Sequence, residues 1–461
     1  MKVDLRKVDL PEFGLPKACP GLDHDMHRAR LGRLRDRMRQ QGLTVFVIYA
    51  DREHFANMAY LAGVDPRFEE SLLIIREGGD PVIITGPENQ GPARKSAIDA
   101  DVVLYPPFGL LGQDRSQTRP LKDILREAGI GPTDRVGVAG WKYFTSAEFP
   151  EPEFVLEIPS FIAEALRDIA GSANVVNATA VLMHCRDGLR ASNEIDQLAQ
   201  FEFAASHSSQ AIRRVLFGLK AGMTEFEAAA LMASIQYPLN CHPMLSSGAR
   251  AYLGLGSPSG RRLALGDPFT CALGLWGSLT CRAGWLARSA DDLPDGTKDY
   301  VERLAAPFYL TALDWYEAMG IGVSGGTIDA LVRKRLGDPF FNLVLNPGHL
   351  IHYDEWLDTP VYPGGQIAFT SHQAIQLDII PATGTAYFTS NMEEGIALLD
   401  AEGRRAFADR HPEAWARVQH RRAFMSDVLG IRLRPEVLPF SNLCGYLAPF
   451  FLAPEVALVR C

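Results

Sequence analysis

The stretch NPGHLIHYDEW (346–356) gathers His349, His352, Asp354 and Glu355 behind a Pro-Gly turn. Imidazoles and carboxylates in one loop suit either metal ligation or proton transfer. Downstream, IQLDIIP carries Asp378 inside an apolar run, where a carboxylate is costly unless it is paired or used. Gln376 lies two residues earlier and therefore on the same face of a strand. The segment NMEEGIALLD adds Glu394; Glu393 is the alternative inward residue, because a register shift of one exchanges the two faces. His349, Asp378 and Glu394 are the expected catalytic set. His352, Glu355, Gln376 and His372 are expected to border a substrate.

The elements that must position these residues fall into two groups. LTVFVIYA, SLLIIREGGDPVIITG, DVVLYPP and RVGVAGW read as strands, interleaved with helices over 24–41, REHFANMAYLAG and LKDILREAG. This alternation predicts an α/β domain over residues 1–170. Over 171–461 the pattern changes to longer helices, with one expected over 192–219. Thr224 and Glu227 stand at capping-box spacing. LGDPFTCALGLW, SLTCRAGWLA, QAIQLDIIP, GTAYFTS and EEGIALLD read as strands, with helices near 295–319, 326–336 and 403–429. Helices on one side of a mainly antiparallel sheet make the second domain α+β.

Composition narrows the class. The chain has 461 residues, 47% apolar and 22% charged, so large cores can form. A net charge of −9 without any Lys/Arg run argues against nucleic acid and anionic membrane as partners. Seven scattered cysteines without a CxxC pair fit a reduced, cytoplasmic protein. Cys271 and Cys281 read as small core residues, and adjacent Cys241 and His242 point to opposite faces of a strand.

CRDGLRASNEIDQL, AGMTEFEAA, GDPFTCALG, NPGHLIH, IQLDIIP and EEGIALLDAEG, in this order, resemble the creatinase, aminopeptidase P and prolidase family. The resemblance spans nearly the whole chain. It implies a creatinase-like α/β N-terminal domain, a pita-bread C-terminal domain and a homodimer. The family's metallopeptidases hold two metal ions with Asp, Asp, His, Glu and Glu. Laid on this chain, those positions fall on Ala272, Ala283, His349, Asp378 and Glu394. Two adjacent divalent ions need bridging carboxylates to offset their repulsion, so the alanines imply that the two-metal site is lost and no cofactor is bound. A single divalent ion on His349, Asp378 and Glu394 is the alternative.

Creatinase, a metal-free relative, implies a role for each retained group. His349 would carry protons, while Asp378 and Glu394 would hold a cationic nitrogen. Arg67, reaching the pocket of the other subunit, or Arg282 would clamp a substrate carboxylate. Creatinase's catalytic histidine lies upstream of the Gly-Asp turn, where this chain offers only His242. The expected function is metal-independent hydrolysis of a C–N bond in a small cationic or zwitterionic metabolite. The alternatives are a single-metal hydrolase, peptidase or lyase, and an inactive peptide-binding pseudo-peptidase.

Overall fold

The computed structural model describes residues 2–252 and 254–461. It divides into two compact units, Leu22–Arg190 and Met1–Gly21 together with Ala191–Cys461. In the first unit, six strands lie in the order 101–104, 82–85, 71–76, 45–50, 136–139 and 175–177. Strand 71–76 pairs antiparallel with 45–50 and, through the GGD hairpin, with 82–85; the flanking strands add in parallel. VFVIYA (45–50) is buried along its whole length. Its odd residues Val45, Val47 and Tyr49 share a core with Leu125, Ile162 and Leu166 from the helices Leu121–Glu127 and Ser160–Ala170.

The expected boundary near residue 170 lies instead at Arg190. Val175–Asn177 pairs with Val136–Val138 and extends the first sheet past that point. Residues 3–7 also leave the first domain, because they pair antiparallel with 456–460 at the other end of the chain. Such long-range pairing has no local sequence signal.

The second unit is built on a seven-stranded antiparallel sheet. Its order is 349–350, 373–377, 391–398, 278–285, 268–275 and 244–247, with 437–439 also pairing with 391–398. The 24-residue helix Ile195–Gly218 lies against this sheet. Ser208 Oγ meets Ser278 Oγ at 2.7 Å and Thr280 Oγ1 at 3.0 Å, which pins the helix to the central hairpin. The Thr224–Glu227 capping box forms as its spacing requires.

Two expected elements differ. GTAYFTS is a turn, not a strand: Thr383 and Thr385 bond within the loop, and Phe388 takes a positive φ of 59°. The closing helix is split into Ala401–Arg410 and Pro412–Asp427. Pro412 has no amide hydrogen to continue the first helix, and its ring pushes His411 out of helical geometry. No described helix is long and apolar enough to cross a membrane.

Candidate active site

The hairpin 268–275/278–285 pairs Cys281 with Ala272 and Ala283 with Thr270. The neighbouring strand pairs Cys281 with Glu393 and Ala283 with Asn391. Residues alternate across a strand, so all six side chains point to one face. That face lines a cavity of about 240 Å³, closed by Met244, Leu255, Leu279 and Ile380 and by Glu355, Trp356 and Asp378.

His349 enters from the short strand opposite Gln376. Gly348, at φ +128°, makes the turn before it, and Trp315 Nε1 donates to the Pro347 carbonyl at 2.9 Å. The imidazole is fully buried and lies flat against Trp356. Nδ1 lies 3.1 Å from the Leu350 carbonyl, which favours the Nδ1–H tautomer and leaves Nε2 as the basic nitrogen. Nε2 is 3.2 Å from Glu355 Oε1, without hydrogen-bond alignment, and 3.9 Å from Asp378 Oδ2. Ligand atoms of His349, Asp378 and Glu393 all lie within 4.8 Å of one another.

Burial dominates the electrostatics here. Alone it would lower the His349 pKa, but the Glu355 and Asp378 carboxylates override it and hold the imidazole above its ordinary value. Asp378 is pushed up to about 7 by burial, with His349 opposing and Glu355 adding to the rise. Glu393 is raised well above the carboxylate range by burial and then by the charges of Asp378 and Glu355. Burial therefore favours the protonated forms of Asp378 and Glu393, in a cluster that presents several acceptors to the cavity.

The expected site residues separate into three groups. Asp378 and Glu355 line the cavity, and His349 lies against them, with Nε2 turned toward both carboxylates. Gln376 sits behind it, donating from Nε2 to Leu279 O at 2.5 Å and to Glu393 Oε1 at 3.3 Å.

Glu394, Arg282, His352 and His372 lie elsewhere. Glu394 faces the opposite side of the sheet, where it accepts from Arg282 Nη2 at 2.7 Å and Tyr316 Oη at 2.7 Å. Arg282 also donates to the Tyr446 and Leu443 carbonyls, so it clamps no substrate. His352 packs edge-on to Phe201, and its Nδ1 accepts from the Tyr353 amide. His372 is turned to the Asn193 carbonyl at 2.9 Å. Arg67, in the first unit, is bidentate to Asp65 and covers the Phe55 ring.

Glu393 takes the place expected of Glu394, because the register is offset by one. Asn391, unremarked in the sequence, shares its face two residues earlier. His242 also reaches the cavity mouth, with Nε2 2.8 Å from the Leu255 carbonyl. Burial disfavours the thiolate form of both lining cysteines. Burial pushes Cys241 up to about 12 and raises Cys281 well above its ordinary value.

Fold and cavity together define a two-domain chain with a creatinase-type N-terminal domain and a pita-bread C-terminal domain. Residues 30–187 match the family model of the creatinase/prolidase N-terminal domain. Over most of its length the chain also resembles three solved structures. One is the dipeptidase PepE of Mycobacterium ulcerans, at 18% identity and TM-score 0.59, over 82% of this chain and 94% of that one. The prolidase of Pyrococcus horikoshii aligns at 14% identity and TM-score 0.61, over 80% and 95%. The X-Pro aminopeptidase of Thermotoga maritima aligns at 15% identity and TM-score 0.60, over 80% and 95%. No curated protein sequence matches the chain.

Proposed function

We propose that this cavity is the active site of a metal-independent, creatinase-like hydrolase cleaving a C–N bond in a small cationic or zwitterionic metabolite. The observation that carries this reading is His349 Nε2, fully buried and without a hydrogen-bond partner, facing the carboxylates that line the cavity. Glu355, Asp378 and Glu393 would neutralise and orient a cationic nitrogen. His349 Nε2 would take a proton from water as its oxygen adds to the carbon. The same nitrogen would return that proton to the leaving amine as the C–N bond breaks. A homodimeric, cytoplasmic enzyme belongs to the same reading.

Donor chemistry bears on the two-metal pattern of the family. Ala272 and Ala283 line the cavity but offer no ligand atom, and three residues remain where the family pattern uses five. These residues do not fit a dinuclear centre. They do fit one ion, which favours a second reading. His349, Asp378 and Glu393 would hold that ion, and it would supply a polarised water.

Metal analysis of protein purified without chelator separates the two. Stoichiometric zinc, iron or manganese would overturn the metal-free reading. Turnover of amine and amide metabolites, followed by mass spectrometry, should vanish in His349→Ala with the fold intact. Unchanged turnover would remove His349 from the mechanism.

A further inference from the structure

The acids of the cavity are grouped: Glu355, Asp378 and Glu393 gather around His349, while Met244, Leu255 and Ile380 are among the apolar lining residues. Among the described residues, no lysine or arginine lines it. Arg282, one of the arginines implied for a substrate carboxylate, is engaged with Glu394 across the sheet. His242 at the mouth has Nε2 directed to the Leu255 carbonyl oxygen. A ligand carboxylate would therefore be desolvated beside three acidic side chains with no lysine or arginine of the lining to pair with it, which is unfavourable.

The unpartnered atoms specify the ligand further. Asp378 Oδ1 and Asn391 Oδ1 are buried without any hydrogen-bond partner, at 4% exposure for each residue. Both belong to side chains lining the cavity. Buried acceptors of this kind are costly unless something donates to them. A quaternary ammonium has no N–H to give; a protonated primary or secondary amine has at least two. The cavity's apolar lining leaves the remaining surface to a hydrocarbon group.

Resting on the hydrolase reading above, we infer that the site selects a protonated primary or secondary amine with an apolar substituent and no carboxylate. Asn391 is a specificity-determining residue in this arrangement: with Asp378 it receives the two N–H groups. The substrate is then a monocation rather than a zwitterion, so free dipeptides and amino acids are excluded by charge.

Calorimetric titration of the full chain at pH 8 tests this with 3-methylbutylamine, leucine (the same amine bearing a carboxylate) and the N,N,N-trimethyl derivative of the amine. The amine should bind at least tenfold tighter than either of the others. Asp378→Asn should weaken it at least tenfold, and Asn391→Leu should abolish the preference over the trimethyl compound. A smaller margin over leucine or the trimethyl compound overturns this inference; if Asp378→Asn still weakens both ligands, the cation-binding hydrolase reading survives. Millimolar amine that does not bind, or that binds Asp378→Asn as well as wild type, overturns both.

Discussion

The imidazole of His349 lies flat on the indole of Trp356, with ring centroids 4.1 Å apart and planes 16° from parallel. The stack fixes the ring so that Nε2 looks at Glu355 and Asp378 rather than at bulk water. Its titration should report those neighbours. In histidine-selective NMR, His349 should titrate above 6.5, and Glu355→Gln should bring it down by more than Asp378→Asn does, since Glu355 exerts the larger attraction. A His349 pKa indifferent to Glu355→Gln would show that the carboxylate does not act on the ring.

Glu393 and Glu394 are neighbours with opposite roles, and stability should separate them. Glu394→Gln leaves buried Arg282 without its counter-charge and should cost about 3–5 kcal/mol in urea denaturation. Glu393→Gln removes a carboxyl whose native pKa is raised above 4.5. Such a group binds its proton more tightly folded than unfolded, so native stability falls as pH rises from the ordinary carboxylate range. Glu393→Gln should therefore gain on wild type progressively as pH rises, and should match it at acidic pH. Equal losses from both substitutions would refute the facing assigned here.

Carboxylates placed at Ala272 and Ala283 should create a manganese site on the proposed reading. The double variant Ala272→Asp/Ala283→Asp buries two more acids and should melt below wild type. Manganese at about 100 times its Kd should then recover roughly 2.7 kcal/mol by mass action. Thermal melts with and without manganese measure this. An equal manganese shift in wild type would mean that the alanines do not disable the site.

In the N-terminal unit, His54 bridges Asp51 at 2.8 Å and Glu157 at 2.9 Å. Burial opposes its charge, but the two carboxylates prevail and push its pKa up to about 9. A histidine raised in this way stabilises the fold fully below 6.5, and the contribution disappears as pH rises through about 9. Allowing for partial solvent screening, His54→Ala should cost about 1–2 kcal/mol at pH 6 and far less at pH 10. Denaturant melts at the two pH values give the comparison; a pH-independent loss would point to packing alone.

The Trp276-Gly277 turn joins the two strands that carry Ala272 and Ala283. Gly277 has φ +89°, and a Cβ there would come within 1.9 Å of the Phe201 ring. Gly277→Ala should therefore destabilise by about 1–3 kcal/mol or more through overpacking and backbone strain. Denaturation shows the loss; a variant as stable as wild type would mean that helix and hairpin can separate at no cost.

The residue types of the site were legible in the sequence because chemistry leaves local traces. An acid inside IQLDIIP and a histidine after a Pro-Gly turn stand out against apolar neighbours; in the fold Asp378 and Glu355 line the cavity, and His349 packs against them. Periodicity also marked the hairpins, the long helix 195–218 and the capping box, since each depends on residues close in the chain. Facing was another matter. Glu393 and Glu394 are indistinguishable as neighbours in NMEEGIALLD, and only the pairing of Cys281 with Glu393 directs one into the cavity and the other to Arg282. Residues 3–7 joined to 456–460, and Asn391 left without a donor, likewise depend on contacts between distant segments. Composition and spacing determine which groups are available; strand register, a long-range property of the folded chain, decides which of them share a cavity.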